Sequence, residues 1–232
     1  MPSPPHLTAV HIHRLDKIHF FGWTSDSVIH MPIRKQIPQL SVVRLRSQGV
    51  NLQQLRQADF TTGFPRPDLL RLHEHSFDSE AMSIAQHLKL PANLESATAV
   101  ARQWTRGIPR GWLQVEEIVR RLRTEFTLDM DALAPETCND VVSHFLEAGR
   151  GPDYMFAATA AMQLRKLGYP TRLVAGFYAR PERFDQRARQ TEVLAEDVHM
   201  WAEVYVGDHA WVPIEPTPGY DCLLYTSDAA DE

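Results

Sequence analysis

The chain has 232 residues, 44% hydrophobic and 23% charged, with a formal net charge of −5 and a mean hydropathy of −0.31. This ordinary globular composition excludes collagen-like, coiled-coil and wholly disordered readings, and the length suits one or two domains. The acidic balance argues against nucleic-acid binding driven by counterion release.

No run approaches the roughly 18 apolar residues of a membrane span, and no signal-peptide pattern opens the chain. Two cysteines, Cys138 and Cys222, make neither a disulfide framework nor a zinc cluster. Nothing in the sequence calls for a cofactor.

In chain order, residues 1–65 are rich in Val, Ile, Phe and His. The alternating runs Val10–Ile12, Ile18–Phe21 and Leu40–Leu45 predict half-buried strands, with turns at Thr24–Ser27 and Ser47–Asn51. This stretch reads as a β-rich region, followed over 66–221 by a larger domain. His11 and His13 share a strand face without a third ligand, so they read as solvent-facing, as do His73 and His75.

Helices then dominate. Asp78 can cap a helix over Ser79–Leu88, and Asn93 one running to Thr105, stopped by Gly107 and Pro109. Over Trp112–Phe126, Val115, Ile118, Val119, Leu122 and Phe126 form a stripe at helical spacing that predicts core packing. Asn139 or Asp140 can cap a short helix carrying Val142, Phe145 and Leu146. The turn Gly149–Pro152 leads into another helix, Tyr154–Leu167, ended by Gly168 and Pro170.

Arg172–Tyr178 predicts a strand. The charged stretch Ala179–Val198, with Asp185, Arg187 and Arg189, is longer than an ordinary connection and predicts a functional flap or mobile loop. His199–Val206 and His209–Ile214 predict a hairpin turned at Gly207–Asp208. The last eleven residues, CLLYTSDAADE from Cys222 to Glu232, resemble a translated sequencing adapter and are set aside from fold reasoning. A chain that ends in this way reads as a piece of a longer gene product.

Two segments carry a family likeness: GRGPDYMFAATAAMQLRKLGYPTRLVAGFYA, Gly149–Ala179, and HMWAEVYVGDHAWVPIEPTPGY, His199–Tyr220. In order and spacing they resemble the core of the bacterial transglutaminase-like superfamily. The resemblance reaches back to about residue 84 and implies an α+β, papain-like fold, with helices packed on an antiparallel sheet. It also implies a Cys–His–Asp triad in which a thiolate attacks a carbonyl, histidine moves protons and the acid orients the imidazole. Carried over by position, His199 takes the histidine place and Glu215 the acid place. The cysteine place falls on Asp153.

That substitution removes thiol chemistry. Cys138 lies fifteen residues upstream, predicted on another helix as a small buried apolar group. Asp153 suits a helix N-terminus, where the dipole keeps it ionised, and an anion facing His199 raises the imidazole pKa. The leading reading is a non-thiol pseudoenzyme that binds a polypeptide segment or protein partner in the former active-site cleft. The alternative is a hydrolase using Asp153 as nucleophile or general base with His199 and Glu215. A third is a metal site of two carboxylates and one histidine, although local spacing does not demand a metal.

Trp201, two residues after His199, is a candidate to line the cleft. Trp211, Arg165 and Arg172 read as structural. The resemblance further implies an extracytoplasmic location in a membrane-anchored parent.

Overall fold

The structure is a computed structural model that describes residues 7–13, 22–23, 29–30, 42–47, 52–57, 84–206 and 211–220. The predicted strand Ile18–Phe21, the Asp78 cap, His73, His75, the side chains of His11 and His13, and the Gly207–Asp208 turn lie outside the described residues. The chain divides into two compact units, residues 1–50 and 51–232.

In the first unit, β1 (Leu7–His13) pairs antiparallel with β4 (Val42–Ser47), Val10 facing Leu45 and His13 facing Val42. The short strands β2 (Gly22–Trp23) and β3 (Ile29–His30) pair with each other.

The second unit is built around one buried helix. It comprises α1 (Leu52–Gln57), α2 (Glu95–Trp104), α3 (Trp112–Glu125), α4 (Val141–Ala148) and α5 (Asp153–Lys166). Val115, Ile118, Val119 and Leu122 are buried along α3, as their spacing predicts, together with Trp112, whereas Phe126 lies just past the end of the helix and is half-buried. Asp140 caps α4, its Oδ1 accepting the Ser143 N–H at 2.9 Å.

The backbone does not place Asn93 at the cap position of α2. A 3-10 turn over Ala92–Leu94 runs straight into that helix, and Leu94 occupies the cap position. Cys138 lies in the turn before α4 and is half-buried, so it belongs to no helix.

Helix α5 differs from the others because it is buried along most of its length. Phe156, Ala157, Ala160, Ala161 and Leu164 are fully enclosed, and the small residues among them let neighbours approach closely. It packs against α2, α3 and α4, and against the sheet. That sheet has three antiparallel strands in the order β11–β10–β7: β7 (Thr171–Phe177), β10 (Val198–Tyr205) and β11 (Trp211–Ile214). On one face of the sheet Ala202, Val204, Val212 and Ile214 are buried.

The charged stretch after β7 is an organised flap rather than a bare loop. It holds a 3-10 turn at Pro181–Arg183, a hairpin of β8 (Phe184–Asp185) and β9 (Gln190–Thr191), and a second 3-10 turn at Ala195–Asp197. Its base is tied by Asp197. The side chain accepts from the Leu194 N–H at 2.7 Å, Arg180 Nε at 2.8 Å and Arg183 Nη1 at 2.6 Å, and these bonds hold the carboxyl below its usual pKa. At the hairpin tip, Asp185 accepts the N–H groups of Arg187 and Ala188.

The entry to α5 is equally constrained. Gly149 closes α4 in the left-handed region at φ 67°. Arg150 and Gly151, as β6, pair in parallel with β5 (Thr127–Leu128). A Cβ on Gly151 would fall 2.6 Å from Met155 Sδ and 3.0 Å from the Phe145 ring, both buried. Gly151→Ala is therefore expected to lower unfolding free energy by about 1–3 kcal/mol in chemical denaturation, the range for overpacking a filled interior. An unchanged midpoint would mean that the turn has slack.

Candidate active site

Pro152 takes the cap position of α5 in an extended conformation, so Asp153 is the first helical residue rather than the cap itself. Its carboxylate sits against the positive end of the helix. Oδ1 accepts the Tyr154 N–H at 2.7 Å, and Oδ2 accepts the Met200 N–H at 3.1 Å. His199 lies on β10 directly opposite Gly176 of β7. Glu215 follows the last residue of β11, and its Oε1 accepts the Thr217 N–H at 2.9 Å.

The three side chains meet in one line. His199 Nδ1 lies 2.8 Å from Asp153 Oδ2, and Nε2 lies 2.7 Å from Glu215 Oε2. All three are buried, with residue exposures of 7%, 2% and 6% for Asp153, His199 and Glu215. A neutral imidazole has one N–H, whereas two ionised carboxylates offer only acceptors, so the imidazolium alone donates both bonds.

The electrostatics agree. Burial works to lower the His199 pKa, but the hydrogen bonds and charges of Asp153 and Glu215 outweigh it and push the value up to about 9. Burial likewise works to raise the Asp153 carboxyl, and the bonds from His199, Met200 and Tyr154 bring it below its usual range. The row is Asp⁻–His⁺–Glu⁻.

Aromatic rings enclose the imidazolium. Tyr220 stacks on it at a centroid distance of 3.8 Å with only 5° between planes. Trp201 stacks at 6.3 Å, and Tyr178 meets His199 edge-on at 6.1 Å. The face of Tyr220, in contact with the cation, attracts it through the ring quadrupole. Burial and the Asp153 charge raise the Tyr220 phenol pKa, keeping it neutral. Trp201 reaches its place because Gly176 has no side chain: a Cβ there would fall 2.6 Å from Trp201 Cη2.

The structure thus brings together Asp153, His199, Glu215 and Trp201. Trp211 stands apart, with the Arg172 guanidinium over its ring and His87 and Tyr205 meeting it edge-on. Arg172 pairs with Glu203 at 2.7 Å, and Arg165 donates to the carbonyls of Thr171 and Lys89. Because Asp153 and Glu215 bind opposite nitrogens of one ring, the three groups do not converge on a point where an ion would sit. Among the described residues no other cluster of His, Cys, Asp and Glu does so.

Tyr178 and Tyr220 were missed as site residues by sequence reasoning. Their signal is position alone, since Tyr178 directly follows β7 and Tyr220 closes the Pro-Gly turn after Glu215.

The family model described as the transglutaminase-like superfamily matches residues 98–216, just over half of the chain. The chain belongs to the transglutaminase-like superfamily. It is 33% identical over 89 residues to the YebA protein of Bacillus subtilis (strain 168), an alignment covering 37% of this chain and 12% of YebA. The fold is similar to the periplasmic domain of TgpA from Pseudomonas aeruginosa, with a TM-score of 0.58 at 21% identity, covering 93% of this chain and 66% of that one. The ethylmercury-bound form of the same domain gives 0.57 at 19%, covering 93% and 68%. Among the described residues no helix is long and apolar enough to cross a membrane.

The pH dependence of this transglutaminase-like site follows from its pKa shifts. The folded state holds the His199 proton more tightly than the unfolded chain, about 9 against 6.5. The resulting stability is complete below pH 6.5 and is lost as pH rises through 9, an effect of about 3 kcal/mol. Asp153 acts at the other end, contributing above 3.8 and losing its contribution as pH falls through its lowered folded value. Thermal unfolding across this range should show Tm falling on the alkaline side, and His199→Gln should flatten that fall. A wild-type profile flat from pH 7 to pH 10 would refute the buried imidazolium.

Proposed function

We propose that this domain is a transglutaminase-like pseudoenzyme, without thiol chemistry, that binds a polypeptide segment at the former active site around Asp153, His199 and Glu215. The observation that carries the reading is the saturation of His199, which donates from both nitrogens to carboxylates. Acyl transfer of the family type needs a sulfur nucleophile at the head of the central helix, and that place holds Asp153. A general base needs a free nitrogen lone pair near neutral pH, and an imidazolium with its pKa raised to about 9 has none.

A polypeptide ligand is supported by the sheet edge beside the site. Strand β7 is the outer strand next to β10, and its Leu173 and Phe177 are exposed on one face. An extended segment can add to such an edge through main-chain hydrogen bonds while seating alternate side chains on that face. An extracytoplasmic location is part of the same reading, supported by the periplasmic origin of the TgpA domain.

One observation favours the second reading, an Asp-based hydrolase. His199 carries a proton. As an ionised Asp153 oxygen attacks a carbonyl carbon, the bond to the leaving group breaks and that group takes the His199 proton. Water then cleaves the acyl anhydride, its hydroxyl going to the acyl carbon, its proton back to His199 and the carboxylate back to Asp153.

Turnover by the full chain against activated esters, amides and peptides separates the two. The expected result is no turnover above the buffer rate, with peptide affinity changed less than about tenfold in Asp153→Asn, the loss of a contact that does not react. Turnover that disappears in Asp153→Asn would replace binding with hydrolysis.

Asp153→Cys tests the site from the other side. A thiol at this helix terminus beside His199 should ionise below the ordinary thiol range of about 8.5 and alkylate faster than Cys138. A cysteine there no more reactive than Cys138 would count against an inherited reaction geometry.

A further inference from the structure

Two of the groups that meet His199, the Glu215 carboxylate and the Tyr220 ring, ride on the loop 215–220. Its sequence, Glu-Pro-Thr-Pro-Gly-Tyr, includes Pro216 and Pro218, which fix φ and supply no N–H. Carbonyls of such a loop must find donors elsewhere.

One side chain gathers them. Arg123, in the last turn of α3, places Nη1 3.1 Å from the Glu215 carbonyl oxygen, 2.9 Å from that of Thr217 and 2.8 Å from that of Tyr220. The acids of the same helix are engaged otherwise, Glu116 by Arg56, Glu117 by Arg120 and Arg121, and Glu125 by Arg121.

We propose that Arg123 is the positioning residue of the site, holding the loop 215–220 so that Glu215 meets His199 Nε2 and Tyr220 covers the imidazole face. A guanidinium is permanently charged and several carbonyl dipoles can converge on it, whereas without it those same dipoles repel one another. The role holds whether the triad binds or reacts, because it concerns what sets the geometry of Glu215 and Tyr220.

Other arginines cap carbonyls in the same manner without touching this loop. Arg110 donates to the carbonyls of Leu167 and Gly168, at the far end of α5. That residue supplies the control.

The test is the titration midpoint of His199, read by NMR on isotope-labelled histidine in the full chain and assigned with His199→Gln. The groups facing the ring are Asp153 from α5, Glu215 and Tyr220 from the loop, Tyr178 after β7 and Trp201 on β10. In Arg123→Gln the midpoint should fall by about one pH unit or more, since one of the two flanking carboxylates is released while Asp153 stays. Arg110→Gln should lower Tm and leave the midpoint where it is.

A folded Arg123→Gln with the wild-type midpoint would overturn the proposal. If that variant does not fold, Arg123→Lys decides: its ammonium is a compact charge without the planar fork, and a midpoint between wild type and about one unit lower supports the role. An unchanged midpoint in Arg123→Lys rejects it.

Discussion

A protonated histidine clamped between two carboxylates in a dry interior makes demands that reach far beyond its own three residues. One positive charge faces two negative ones, so the cluster carries a net negative charge where water is scarce, and every remaining lone pair needs a donor. The donors are backbone N–H groups of Tyr154, Met200 and Thr217, contributed by α5, β10 and the loop after β11. These elements must keep their register together. Slipping β10 by one residue would turn His199 to the opposite face and place Val198 or Met200 against the carboxylates. Gly176 belongs to the same constraint, because only a residue without a side chain leaves room on β7 for the Trp201 ring beside the imidazole.

The difference between this row and one headed by a thiol is a difference in where the proton rests. A cysteine and a histidine have intrinsic pKa values within about two units, so small changes in surroundings move the proton between them, and a reaction can exploit that. An aspartate lies well below histidine to begin with. Here the surroundings widen the gap, lowering Asp153 and raising His199. The proton is committed to the imidazole, and the bond becomes a fixed ion pair. Stacking by Tyr220 acts in the same direction, since an aromatic face favours the cation over the neutral ring.

How much of this could be read from the sequence depended on how far apart the partners lie. The α3 stripe, the Asp140 cap and the glycine that ends α4 are local, and each was legible from spacing and residue type. Asp153, His199 and Glu215 are distant in the chain, and they were singled out through ordered family motifs rather than through any local signal. Where distance combined with the absence of a motif, reading failed. The flap is ordered because Asp197 gathers Arg180 and Arg183, a tertiary pairing that a mixed-charge stretch does not advertise. Asn93 offered good cap chemistry, yet the chain entered α2 through a 3-10 turn that shifted the boundary by one residue. The position of Tyr220 depends on stacking across the site, which no periodicity records.

The two carboxylates are held by unlike means, and this gives the site a stiff side and a conditional side. Asp153 is fixed by the first turn of a helix buried along most of its length, so moving it means moving the centre of the domain. Glu215 leaves the sheet on a loop with two prolines, whose carbonyls look outward to a side chain of another helix. Proline limits the shapes the loop can take but supplies no N–H to hold it in any of them. The charge balance around His199 is therefore set by the docking of that loop. Contacts that reach the Glu215–Tyr220 segment change the state of the imidazole, whereas contacts confined to the flanks of α5 must first deform its packing.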